Sequence, residues 1–120
     1  MKILLAEDDR FLSDMYVTKF SRLGYNIDIA RDGEEAIKKI PKFLPDVILL
    51  DIKMPLKDGF DVLKIIKGDE KTKNIPVILL TNLGQKEDIE RGLKLGAVDY
   101  LIKAQFTPQE VVDKVKKVIK

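Results

Sequence analysis

A few carboxylates, one hydroxyl and one lysine hold comparable positions along this chain. Glu7-Asp8-Asp9 follows directly on the apolar run Ile3-Leu4-Leu5-Ala6, and Asp51 closes the run Val47-Ile48-Leu49-Leu50. Thr81 closes a third such run, Val77-Ile78-Leu79-Leu80, and Lys103 follows Leu101-Ile102. Three consecutive acids repel one another, and a cation relieves that repulsion. The chain has no cysteine and no histidine, so its candidate metal ligands are hard oxygens, which suit Mg²⁺ better than a transition metal. Beside such an ion, Asp51 can act as a carboxylate nucleophile towards phosphorus and form an aspartyl phosphate. The oxygens of the transferring group need positive charge and hydrogen-bond donors, and Mg²⁺, the Thr81 hydroxyl and the Lys103 ammonium supply both. Singly, each residue has a plainer reading. Thr81 can be a turn residue, Lys103 a solvated lysine, and the acids a helix start favoured by the macrodipole.

The elements that must carry these residues follow from periodicity. Short apolar runs bounded by acids or turn residues read as strands buried on both faces, as in a parallel sheet covered by helices. Asn26 to Ala30 alternates apolar and polar residues, which predicts a strand nearer the sheet edge. Val98 to Ile102 is a short fifth strand. Between the strands, a helix from about Arg10 to Leu23 carries Leu12, Met15, Tyr16, Phe20 and Leu23 as core. A second starts at an Asp32/Glu35 capping box and is expected to end or kink at Pro41. A third opens at Asp58-Gly59, and a fourth spans about Lys86 to Leu95. Gly92 should make the fourth the softest. A fifth opens at Thr107-Pro108-Gln109-Glu110, with N-cap, proline and glutamate in order.

Five strand–helix pairs in strict alternation predict an α/β fold, a five-stranded parallel sheet of order 2-1-3-4-5, doubly wound and flavodoxin-like, with five helices. In that layout the ends of the first and third strands are neighbours, so Glu7, Asp8 and Asp51 converge, and Thr81 and Lys103 arrive from strands four and five. Length and composition agree with one domain spanning 1–120. The chain has 120 residues, 45 % hydrophobic and 35 % charged, with a formal charge of +2. That charge is too small to imply direct nucleic-acid binding. No apolar run is long enough for a membrane span and no signal-peptide pattern opens the chain, so a cytoplasmic location is expected.

The chain resembles the receiver domain of two-component response regulators, of the stand-alone type, from Lys2 to its end. The resemblance is carried by Ile3-Leu4-Leu5-Ala6-Glu7-Asp8, by Asp51-Ile52-Lys53-Met54-Pro55 with Gly59, by Thr81, and by Gly96-Ala97-Val98-Asp99-Tyr100-Leu101-Ile102-Lys103. It implies that Asp51 accepts a phosphoryl group from the phosphohistidine of a sensor histidine kinase or a histidine phosphotransfer protein. It implies Mg²⁺, with Mn²⁺ or Ca²⁺ as substitutes, held by Asp8, Asp51 and the Lys53 main-chain carbonyl, with Glu7 acting through metal-bound water. Thr81 and Tyr100 correspond to the switch pair. Helix four, strand five and helix five then form the face that signals to an unidentified protein target, as a monomer or a phosphorylation-dependent dimer. Such a protein is not a turnover enzyme beyond labelling itself from small donors and losing the group by self-dephosphorylation.

Three positions depart from the family pattern. Asn82 stands where a small residue usually follows the threonine, and Lys53 stands two residues after Asp51. Ala104 replaces the proline that normally follows the lysine, with Gln105 lengthening that loop, so a trans Lys103–Ala104 bond is expected. Two other functions compete: a degenerate receiver that binds protein without phosphorylation, and a Mg²⁺-dependent phosphohydrolase with an aspartate nucleophile. The first is weakened by the presence of every key residue. The second lacks a general acid two residues beyond Asp51.

Overall fold

Five strands alternate with five helices along the chain. β1 (Lys2–Ala6), β2 (Asn26–Ala30), β3 (Val47–Asp51), β4 (Val77–Thr81) and β5 (Asp99–Ile102) form one sheet. α1 (Arg10–Arg22), α2 (Gly33–Phe43), α3 (Gly59–Gly68), α4 (Lys86–Lys94) and α5 (Pro108–Val118) connect and follow them. A 3₁₀ turn at Lys103–Gln105 precedes α5. The structure is a computed structural model that describes residues 1–82 and 86–119, Ala104 by its backbone only. All strand pairs are parallel and the order is β2-β1-β3-β4-β5, as the sequence predicts.

Strand alternation divides the core in two. Leu4, Ala6, Ile48, Leu50 and Leu79 point towards α2 and α3, where Ala36, Ile40, Phe60 and Leu63 meet them. Ile3, Leu5, Leu49, Leu80 and Leu101 point the other way, onto Tyr16 and Phe20 of α1 and Val111, Val112 and Val115 of α5. Successive side chains on a strand face opposite sides, so this division also decides which face each strand-end residue serves.

Some local expectations change. α2 runs through Pro41 to Phe43 and ends at Leu44 in the left-handed region. Pro41 forgoes its own bond to the carbonyl four residues back, and the helix closes within three residues of it. The Asp32 carboxylate accepts from Glu35 N–H, but Glu35 in return accepts from Arg31 N–H, one residue before the N-cap. Leu23 is the C-cap of α1 and is exposed, and Leu12 is only half-buried. Gly92 is buried. A Cβ there would lie 2.0 Å from Leu79 Cδ1, so glycine is what lets α4 rest on β4. The sequence reading of this residue as a soft spot missed that packing role.

Candidate functional site

The site lies at the carboxyl ends of β1, β3 and β5. Glu7 N–H donates to Ala30 O, which continues the β1 ladder one residue past its end and keeps Glu7 in strand register. Glu7 therefore follows Leu5, Asp51 follows Leu49 and Lys103 follows Leu101 on the α1/α5 face. The sheet places all three side chains together. Lys103 Nζ donates to Asp51 Oδ2 at 3.0 Å and to Glu7 Oε2. All three side chains are buried, Glu7 to 1 % exposure.

The electrostatics follow from this crowding of two acids on one cation. Burial pushes the Glu7 carboxyl up and the Asp51 charge adds to it, against the pull of Lys103 and the Asp9 N–H; it stands at about 7. Burial pulls the Lys103 ammonium down, but its hydrogen bonds to both acids and their charges outweigh that, leaving it raised. The arrangement sets two carboxyls against one ammonium in a largely buried pocket.

Oxygens of Glu7, Asp8 and Asp51 lie within 4.8 Å of one another. Asp8 is exposed and can meet an incoming ion. A mouth lined by Glu7, Asp8, Asp9, Leu12, Asp51, Lys53, Asn82 and Lys103 opens to solvent above them. The donor set is all oxygen and fits Mg²⁺. Asp9 plays a different part: its carboxylate caps α1 by accepting from Leu12 N–H. Asp51 Oδ1 accepts from Lys53 N–H at 3.3 Å, so both oxygens of Asp51 are oriented by donors.

Thr81 closes β4 and Tyr100, in register with Leu79, lies two residues further back on β5; strand alternation puts both on the other face of the sheet. Thr81 is buried and follows Leu79, while Tyr100 is half-buried against the α2/α3 core. Thr81 does not line the mouth; Asn82 does. Nucleophile and lysine thus stand on one side of the sheet and the hydroxyl and aromatic residue on the other.

Two contributors were not read from the sequence. Leu12 lines the mouth, although its helical spacing marked it as core. Leu56 has φ +70, and Lys57 N–H donates to Pro55 O across it at 2.8 Å. That is a tight three-residue turn in a backbone region that leucine rarely adopts and that costs about 1–3 kcal/mol. Pro55 was the available signal, but a leucine gives no hint of a positive φ. No peptide bond among the described residues is cis, in line with the expected trans Lys103–Ala104.

Residues 3–116 match the family model of the response regulator receiver domain. Among curated proteins, the chain is 39 % identical to the transcriptional regulatory protein CpxR of Escherichia coli K12 over 99 % of its own length and 49 % of that protein's. It is 38 % identical to the probable transcriptional regulator ycf27 of Guillardia theta, over 99 % of this chain and 45 % of that one. The chain thus spans about half the length of the curated relatives it matches. Among solved structures, the receiver domain of Francisella response regulator 1452 is 37 % identical with a TM-score of 0.89, covering 98 % of this chain and 95 % of that one. The chemotaxis protein CheY4 of Vibrio cholerae is 30 % identical with a TM-score of 0.91, covering 98 % and 97 %. The receiver domain of sensor histidine kinase PA1611 from Pseudomonas aeruginosa is 30 % identical with a TM-score of 0.89, covering 98 % and 96 %, and was solved with a magnesium ion coordinated in its active site cleft.

Proposed function

The chain belongs to the response regulator receiver family, and from that premise we propose that Asp51 is its phosphoacceptor, charged by the phosphohistidine of a sensor histidine kinase or histidine phosphotransfer protein. One observation carries the reading: a buried strand-end carboxylate held by Lys103 at 3.0 Å, beside two more acids whose oxygens lie within 4.8 Å. An Asp51 oxygen attacks phosphorus, the P–N bond to the donor imidazole breaks, and the imidazole leaves with a proton. The product is an aspartyl phosphate. Lys103 holds the carboxylate in place before transfer and meets a phosphoryl oxygen after it, and Thr81 moves its hydroxyl to another. Asp8, Asp51 and the Lys53 carbonyl would hold Mg²⁺, with Glu7 acting through metal-bound water, and the ion would supply charge that neutralises the phosphoryl oxygens.

Thr81 stands between the new dianion and the opposite face of the sheet, so its movement is felt where Tyr100 packs. Tyr100 turns inward and α4, β5 and α5 change the surface offered to a protein target. The domain acts as one unit over 1–120, as a monomer or a phosphorylation-dependent dimer, in the cytoplasm and without direct nucleic-acid contact. No helix among the described residues is long and apolar enough to cross a membrane.

Acetyl phosphate with Mg²⁺ should raise the intact mass by one phosphoryl group, and EDTA should prevent it. Absence of the mass gain with Mg²⁺ present overturns the reading. In the same assay Asp8→Ala should raise the half-saturating Mg²⁺ concentration roughly tenfold, about 1.4 kcal/mol, and Asp9→Ala should change it less than twofold. The reverse order would shift the ligand set by one residue.

The donor is a protein on this reading, and the surface supports it. Among the exposed large apolar residues that the structure describes, Phe11 and Leu56 are the most exposed, at 80 % and 76 %. Phe11 lies in the first turn of α1 and Leu56 in the turn after Pro55, and both segments contribute to the site. Phe11→Ala should slow transfer from a phosphorylated histidine phosphotransfer protein by about tenfold. Labelling from acetyl phosphate should stay within about twofold. Equal slowing with both donors would place Phe11 in the chemistry instead of the docking.

A further inference from the structure

Tyr16 belongs to α1, is 2 % exposed, and packs in the same core as Leu5 and Leu101. Those two residues stand directly below Glu7 and Lys103 on their strands, so Tyr16 lies on the face to which both charged side chains point. Along α1 it follows Leu12, which lines the mouth of the site, by one helical turn. Side chains of a helix lean towards its N-terminus, and a long one such as tyrosine reaches back over the preceding turn. The phenol is thereby aimed at the underside of the Glu7–Lys103 pair. Its acidity reports the same neighbours: burial raises the phenol, the Lys103 charge pulls it down and the Glu7 charge pushes it up. In this state Lys103 takes both acids as partners.

Phosphoryl acceptance at Asp51 changes that arrangement, because Lys103 must turn to a phosphoryl oxygen and Glu7, at 1 % exposure, then loses its ammonium partner and keeps the Asp9 N–H and the link that metal-bound water would give it. We propose that Tyr16 is a positioning residue for this step: its hydroxyl donates a hydrogen bond to Glu7 when Lys103 leaves, and so holds Glu7 in place for the phosphorylated state. The role deepens the phosphoacceptor reading and rests on it for its purpose. The Tyr16–Glu7 contact itself requires only that Lys103 be withdrawn. Either protonation state of Glu7 leaves an oxygen to accept from the phenol.

Removing Lys103 genetically therefore tests the contact without any phosphorylation. In a double-mutant cycle read by urea unfolding, Tyr16→Phe should change the unfolding constant less than about twofold when Lys103 is present, and about tenfold in the Lys103→Met background. The Cζ resonance of Tyr16 in ¹³C-tyrosine-labelled protein should shift in Lys103→Met relative to wild type. In the labelling assay, Tyr16→Phe should slow acetyl phosphate transfer by about threefold to tenfold at saturating Mg²⁺. An additive cycle with an unmoved Tyr16 resonance overturns the proposal. A coupled cycle in a wild-type protein that takes no phosphoryl group overturns the phosphoacceptor reading and leaves the contact standing.

Discussion

Asp51→Asn should abolish the gain of one phosphoryl group, a loss of more than about 100-fold in labelling. Asparagine has nearly the same shape and keeps one acceptor oxygen, which takes the Lys103 ammonium or the Lys53 N–H but not both, while Lys103 keeps Glu7 as a partner, so the pocket should stay folded around it. What disappears is the anionic oxygen that attacks phosphorus. The same substitution should not destabilise the protein. Two acids share one ammonium in this pocket, and Asp51 is one of the groups that push Glu7 up. Removing its charge leaves Glu7 and Lys103 as a balanced pair. The melting temperature at neutral pH should rise by about 4 °C, the equivalent of roughly 1 kcal/mol in a domain of this size. Undiminished labelling would move the acceptor elsewhere. A lower melting temperature would show that the Asp51 charge holds the pocket together instead of straining it.

Gly59→Ala should damage the site directly, because it presses on the backbone of the nucleophile itself. Gly59 is the first residue of α3, its N–H bonds Ile52 O at 2.7 Å, and its N-cap Asp58 forms a reciprocal capping box with Asp61. A Cβ at Gly59 would fall 2.5 Å from Asp51 O and 2.8 Å from Ile52 Cα. Both are backbone atoms of a fully buried strand end and cannot swing aside as a side-chain tip can. Either the start of α3 lifts away or the Asp51 backbone shifts. Overpacking of this kind costs about 1–3 kcal/mol, so melting should fall by roughly 4–12 °C. Labelling should fall at least tenfold, because displacement of the nucleophile by a fraction of an ångström harms in-line attack. Gly68→Ala is the matched control at the other end of α3, where an added Cβ meets nothing within 4 Å. That substitution should stabilise by up to about 1 kcal/mol. Equal behaviour of the two variants would show that the α3–β3 contact is not tight.

Much of this fold was legible because its signals are local. Asp9, Asp58 and Thr107 cap the helices they precede, and apolar runs of four residues, each too short for a helix core, became the buried strands β3 and β4. The alternation of strands and helices then left few topologies, and the residues at strand ends named the candidate site in advance. Their roles in phosphoryl acceptance rest on chemistry and await the labelling experiments.

Other features depended on residues distant in sequence. Pro41 was expected to end or kink α2, and the helix instead carries on to Phe43, where Leu44 closes it in the left-handed region. Gly92 read as a soft point, and the structure adds a packing role that the sequence did not show, because a Cβ there would press on the Leu79 side chain where α4 rests on β4. The sequence brought Thr81 to the same sheet edge as Asp51. Only the alternation along β4, anchored by Leu79 and Leu80 in opposite cores, put it on the face of Tyr100. Residue types and caps act within a turn of the chain, so the sequence by itself determined which elements form and which chemistry their ends can offer. Close approach and facing depend on contacts between elements tens of residues apart, and only the tertiary structure decided them.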